Sequence, residues 1–206
     1  ALKPFTSIED MNLGVRLIVK PLAAMGYHFG KGDEDLPMRI MSVCNMYPAF
    51  IQLYCRSLLD LLQNNRQDAP APFPITAETL DAVESNPRLL AELREKFRYS
   101  LKLDRRYEAI ALVLADIWHI ESTSETGRVA RGVTATEIRE LCQDFCPQHF
   151  QHTGPGAYEA LLDEMEKLNV ITRTHGRYAL RTANIAMMIG GHTEVKDKMN
   201  ELAEQT

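Results

Sequence analysis

The 206-residue sequence predicts a mainly α fold ending in a winged helix-turn-helix, and three observations predict it. Apolar residues recur at three- and four-residue steps along most of the chain, the period of a helix with one buried face. The few stretches that read as extended are short and lie beside Gly or Pro. Between Leu103 and Thr182 the elements follow a specific order: a long helix, a short strand, two helices joined by a Gly-containing turn, and a two-stranded hairpin.

From the start, Ser7-Ile8-Glu9-Asp10 has the form of a capping box, and Leu13, Leu17, Ile18 and Leu22 supply the buried side of the helix it opens. Gly26, Gly30 and Gly32 break the chain around Tyr27-His28-Phe29, a short apolar piece that suits a strand. A second helix spans Asp35 to Asn45, with Pro37 tolerated in its first turn. Pro48 starts a third, Ala49 to Leu62, strongly apolar through Phe50, Ile51, Leu53, Tyr54, Leu58, Leu59 and Leu62. Asn64 to Pro74 holds Pro70, Pro72 and Pro74 and few large apolar residues, so it reads as an extended linker and a domain boundary. Thr76 then caps a short helix that stops near Asn86-Pro87, and a longer basic helix follows from Arg88 to Leu103.

The last third opens with the helix Tyr107 to Ile120 and a polar loop, Glu121 to Arg131. Gly132–Val133 reads as a short strand, Thr134 to Phe145 as a capped helix, and Gly154-Pro155-Gly156 as the turn into the helix Ala157 to Leu168. Strands Val170 to Thr174 and Arg177 to Arg181 close around His175-Gly176, where Gly suits a tight hairpin turn needing φ > 0. Segments Ala183 to Gly190 and Thr193 to Ala203 read as a tail that either docks on another surface or covers its own domain. The expected organisation is a helical domain over 1–65, a linker over 66–75, a helical extension over 76–103, a winged helix over 104–182 and a helical tail over 183–206.

Composition narrows the function classes. Hydrophobic residues at 45% and charged residues at 25% are ordinary globular values, and a net charge of −5 supplies no bulk attraction to nucleic acid or membrane. No apolar run is long enough to span a bilayer and no signal peptide opens the chain, so a cytoplasmic setting is expected. Cys44, Cys55, Cys142 and Cys146 lie within apolar helical patterns and read as reduced thiols. A start at Ala1 without an initiator Met fits a fragment or a processed product.

The helix Ala157 to Leu168 occupies the place of a recognition helix, but its surface is acidic. Tyr158, Leu161, Leu162, Met165 and Leu168 form the core stripe, leaving Glu159, Asp163, Glu164, Glu166 and Lys167 outward. Phosphate attraction carries most of non-specific DNA affinity, and four carboxylates against one base oppose it. The hairpin carries Arg173, Arg177 and Arg181, yet from Thr134 to Thr182 acids outnumber bases seven to five. A structural or protein-binding winged helix is the first reading, and a DNA-binding transcriptional regulator acting through the hairpin is the alternative.

Two further constellations carry chemistry by residue type. Cys142, Cys146, His149 and His152 are four zinc-type ligands in Cys-x3-Cys-x2-His-x2-His spacing; the competing account is a core cysteine pair with two loop histidines, because Leu141, Phe145 and Phe150 mark the same face as core. Arg98, Lys102 and Arg105 share one face if the helix continues through Asp104, which makes them either an anion site for phosphates or a solvated charged face with Glu92, Glu95 and Asp104. Gly26 to Gly32 is one residue short of a phosphate loop and has Gly where the Mg²⁺-binding hydroxyl belongs. Ile110 to Asp116 imitates an apolar strand ending in Asp, but continues through Ile117 and Trp118 as a helix would. No catalytic signature remains, and no enzyme activity or cofactor is expected of this chain.

Residues 7–62 resemble the small helical lid that follows the nucleotide-binding core of AAA+ and STAND-type ATPases. The resemblance rests on Leu2-Lys3-Pro4-Phe5, Val19-Lys20-Pro21-Leu22, Met25-Gly26-Tyr27, Asn45-Met46-Tyr47-Pro48 and Phe50 to Cys55. It implies that Tyr47 and Pro48 border the base of ATP or ADP held by a full-length parent, with Asn45 where a glycine often stands. It also implies a winged helix after the lid. The function expected is then a regulatory module of a nucleotide-dependent ATPase, with the ATPase core, other protein domains and a second copy of the chain as partners.

Overall fold

The computed structural model describes residues 4–64, 71–123 and 132–204, and these form eleven helices and five short strands. The protein is mainly α with a small sheet content. The chain divides into two units, Ala1–Leu93 and Arg94–Thr206.

In the first unit, α1 (Ile8–Ala24) begins at a complete capping box: Asp10 N–H donates to Ser7 Oγ at 3.0 Å and Ser7 N–H to Asp10 Oδ2 at 3.2 Å. Gly14, Ile18 and Leu22 recur every four residues on its buried side. Gly14 permits close approach by α2 (Leu36–Val43), because a Cβ there would lie 2.4 Å from Met41 Cε. The third helix, α3 (Pro48–Asn64), buries Phe50, Ile51, Tyr54 and Leu58, and α4 (Ala77–Glu84) packs against α3 and α2.

The linker expected at 66–75 is corrected over its last residues. Strand β1 (Tyr27–Phe29) pairs in parallel with β2 (Phe73–Ile75), matching Tyr27 to Phe73 and Phe29 to Ile75. Phe73 N–H donates to Gly26 O at 2.8 Å, and Pro74, which has no N–H, sits in a strand with a single neighbour. Phe73 lies against Tyr27 and Ile75 is fully buried, so the segment belongs to the core of the first unit. Residues 66–70 of that expected linker lie outside the described residues.

Helix α5 (Pro87–Leu101) starts in the first unit, and from Arg94 onward it belongs to the second. It ends at Leu101, short of the expected Leu103, and α6 (Arg105–Thr123) begins after a turn. Ala109 to Ala115 of α6 are all buried, which identifies the apolar run ending in Asp116 as a central helix. Around it stand α7 (Ala135–Phe145), a one-turn α8 (Pro147–Phe150) that sequence reasoning missed, and α9 (Pro155–Lys167). Strands β3 (Val133–Thr134), β4 (Ile171–Thr174) and β5 (Arg177–Leu180) form an antiparallel sheet in the order β3-β5-β4. His175 and Gly176 both have positive φ, 51° and 77°, as the two-residue hairpin requires. Helix α10 (Ala183–Ile189) packs on α6 and β5, and α11 (His192–Glu204) lies along α6, so the tail covers its own unit.

Candidate functional site

The turn between α2 and α3 carries Tyr47 and Pro48. Asn45 and Met46 are both left-handed, with φ of 48° and 61°, and Asn45 is buried. A single αL residue is tolerated by Asn, but two in succession in non-glycine residues are uncommon and mark a backbone held by its surroundings. The hold is visible: Phe5 N–H donates to Met46 O at 2.9 Å, Met46 N–H to Met41 O at 2.8 Å, and Tyr47 N–H to Cys44 O at 3.0 Å. Pro48 is buried at the first position of α3, and Tyr47 is half-buried with its ring 5.2 Å from that of Phe50. Burial pushes the Tyr47 hydroxyl up to about 12. The side chain is thus a neutral aromatic wall suited to stacking.

The basic residues do not form one site. With α5 ending at Leu101, Arg98, Lys102 and Arg105 do not share a helical face. Arg98 is consumed inside the second unit: Nε and Nη2 donate to Ile189 O at 3.2 and 2.9 Å, and Nη2 donates to Glu194 at 2.5 Å. Arg105 pairs with Glu108 at 3.1 Å, while Lys102 stays exposed beyond the helix end. On the hairpin, Arg177 Nε donates to Gly132 O at 2.9 Å and its charge faces Glu137 at 3.6 Å. Arg173 lies over the Tyr178 ring, 5.5 Å from its centroid.

The exposed surface of α9 is mostly acidic. Tyr158, Leu161, Leu162 and Met165 are buried, and Glu159, Asp163, Glu164 and Lys167 are exposed around the other side. Glu166 is less free than its position suggests, because its Oε1 accepts the Arg173 N–H at 3.1 Å and ties α9 to β4. Glu164 accepts the hydroxyl of Tyr107, and burial together with that carboxylate pushes Tyr107 up to about 12. Burial also raises the Tyr178 hydroxyl; Asp163, Glu166 and Glu159 raise it further, against the opposing charge of Arg173. The charges of the α9 carboxylates are therefore felt at the ring that Arg173 covers.

The cysteine–histidine set is not assembled. Cys142 and Cys146 are buried, with the Cys146 thiol donating to Cys142 O at 3.2 Å, while His152 is exposed on the following turn. Burial pushes Cys146 up to about 12 and raises Cys142 as well, so both stand as neutral thiols inside the core. Among the described residues no three His, Cys, Asp or Glu are grouped to hold a metal ion, and no helix is long and apolar enough to cross a membrane.

Two features lacked a sequence signal. Arg39 of α2 clamps α4, with Nε and Nη2 donating to Glu84 at 2.9 and 2.7 Å and Nη2 to Asp81 at 2.5 Å, while Tyr54 of α3 donates to the same Glu84 at 3.1 Å. At the α10–α11 junction, His119 bonds Gly190 O at 2.9 Å, and Asp116 receives His192 at 3.2 Å and Lys196 at 2.7 Å. Both are long-range in sequence, which is why spacing could not reveal them. No family model matches the chain, and neither the curated proteins nor the solved structures contain a match to it.

Proposed function

We propose that the chain is the regulatory and interaction portion of a nucleotide-dependent ATPase. In this reading the first unit is the lid and the second a winged helix that binds protein, with α7 and α9 as its helix-turn-helix and β4–β5 as its wing. The observation that carries it is the acidic outer face of α9, where Glu159 and Asp163 stand exposed at the place a duplex would lie. Carboxylates there repel phosphates, and the Arg173 and Arg177 charges are already engaged by Tyr178 and Glu137. Such a face suits a partner that brings its own positive charge.

The lid reading draws support from the turn before α3. The left-handed Asn45 stands at the position where the resembling lids place glycine, and Tyr47 follows as an uncharged aromatic beside it. A base stacks on such a wall, and ATP or ADP would reach it only with a phosphate-binding core supplied outside this chain. Phosphate loop and Mg²⁺ ligands are accordingly expected in the coding sequence upstream of Ala1, and the purified 206-residue chain is expected to turn over no ATP.

The test of the interaction reading is anisotropy of a labelled duplex titrated with the chain near physiological salt. No binding is expected; tight, sequence-selective binding overturns the proposal in favour of a DNA-binding regulator, for which the exposed hairpin arginines are the supporting feature.

A further inference from the structure

The stretch at the end of α5, from Glu95 to Leu103, and the outer face of α9 carry opposite charge, and both lie in the second unit. Tyr99 is 69% exposed and Leu103, just beyond the helix end, is 78% exposed. They are the two most exposed large apolar side chains described in that unit, one near the end of α5 and one just past it. Lys96 and Lys102 are exposed beside them, with Glu95 as the acid on the same stretch. Two large apolar side chains exposed within one short stretch that carries two exposed lysines mark an interaction surface.

The first half of α9 offers the counterpart. Gly156 and Ala160, one turn apart, are exposed and present almost no side chain, and nothing lies within 4 Å of where a Gly156 Cβ would stand. Glu159 and Asp163 rise beside that flat strip, both exposed. A tyrosine and a leucine fit against small residues, while two lysines meet two carboxylates.

We propose that the Lys96–Leu103 face of one chain docks on the Gly156–Asp163 face of a second copy. This deepens the reading of α9 as a protein-binding face and rests on it. Both faces remain exposed in the single chain, so neither covers the other intramolecularly. Because the two faces differ, the contact is head-to-tail: copies add to one another in a row, or close into a ring if the rotation permits. Two anchoring side chains bury less than the area of a stable interface, so the association is weak, concentration-dependent and weakened by salt.

Sedimentation velocity from micromolar to millimolar chain, at low and high salt, reads the association. The wild type is expected to form species larger than a monomer, suppressed by salt. K96E/K102E and E159K/D163K should each be monomeric, and Y99A/L103A should weaken association by about tenfold or more. Mixing K96E/K102E with E159K/D163K is decisive, because the two retained faces attract each other and so do the two reversed ones: species that grow as the wild type's do are expected, from components that are each monomeric alone. Circular dichroism of each variant checks that these exposed substitutions leave the fold intact. A wild type monomeric at millimolar concentration and low salt overturns the inference, as does association indifferent to both charge reversals. Either result leaves the duplex titration, which needs no second copy, as the separate test of α9 as a protein-binding face.

Discussion

Replacing Arg98 by Met asks whether the basic residues of α5 hold the second unit together or stand ready for an anion. Arg98 donates to two acceptors, the Ile189 carbonyl and the Glu194 carboxylate, and charge-assisted bonds of this kind contribute about 1.5–3 kcal/mol each. The gross loss is then about 3–6 kcal/mol. Two features reduce it. Glu194 is 42% exposed, so water supports much of its charge. Lys198 Nζ also reaches both acceptors, at 3.2 Å from Ile189 O and 3.4 Å from Glu194, so neither is left bare. Burial and the neighbouring Arg98 charge hold the Lys198 ammonium below its ordinary value; removing Arg98 lets it keep its proton more firmly and bond more strongly. The net cost is about 2 kcal/mol at neutral pH, which lowers a urea midpoint by about 1 M. Trp118, the single tryptophan, lies in α6 against which α11 packs, so its fluorescence follows this unfolding. Lys198→Met added to Arg98→Met should cost more than the sum of the two alone, because only the double variant strips both acceptors. A loss under about 0.5 kcal/mol, together with weakened binding of inorganic phosphate, would refute the reasoning and return Arg98 to the anion site.

Three further outcomes are expected. Arg39→Met should destabilise the first unit by about 2 kcal/mol in thermal unfolding followed by circular dichroism, whereas Asp81→Asn, at a 63% exposed partner, should cost less than about 0.5 kcal/mol; equal effects would contradict the central place given to Glu84. Gly132→Ala should cost about 2 kcal/mol or more in the Trp118 assay, because φ is +67° and the added Cβ meets the Tyr178 carbonyl oxygen at 2.8 Å; a neutral variant would contradict the β3–β5 geometry. Acid should destabilise the second unit through Asp104 and Glu194. The Arg106 hydrogen bond holds Asp104 down; at Glu194 burial acts upward, but the Lys198 and Arg98 charges and bonds outweigh it. Native carboxylates below their ordinary values of 3.8 and 4.5 contribute stability above those values and lose it as pH falls through the native ones, so Asp104→Asn and Glu194→Gln should each flatten the acid limb.

What the sequence made legible was local. The helical period placed the core stripe of α9 on Tyr158, Leu161, Leu162 and Met165, and Ser7-x-x-Asp10 and the cap at Thr134 announced helices that start at those positions. It failed where tertiary context decides. Pro72 and Pro74 argued against a strand, but Phe73 and Ile75 pair with β1 across two intervening helices, a contact with no local signal. Arg98 looked like free charge because Glu194 is far along the chain, and Arg105 because the helix break after Leu101, which makes Arg105 the first residue of α6 with Glu108 one turn on, carried no sequence signal. Glu166 looked outward by spacing, yet its carboxylate is tied to the Arg173 amide, so Glu159 and Asp163 are the residues whose charge can be reversed without loosening α9 from β4.

That reversal supplies the most direct measurement. Labelled-duplex anisotropy across a salt series, on wild type and E159K/D163K, compares the α9 face with its charge inverted. The wild type is expected to show no binding near physiological salt. The variant should acquire sequence-independent affinity at low salt, with a log–log salt slope near −2, about −0.9 for each phosphate newly contacted. Wild-type binding that is tight, sequence-selective and abolished by the two lysines would contradict the account, because the carboxylates would then be reading cytosine amino groups.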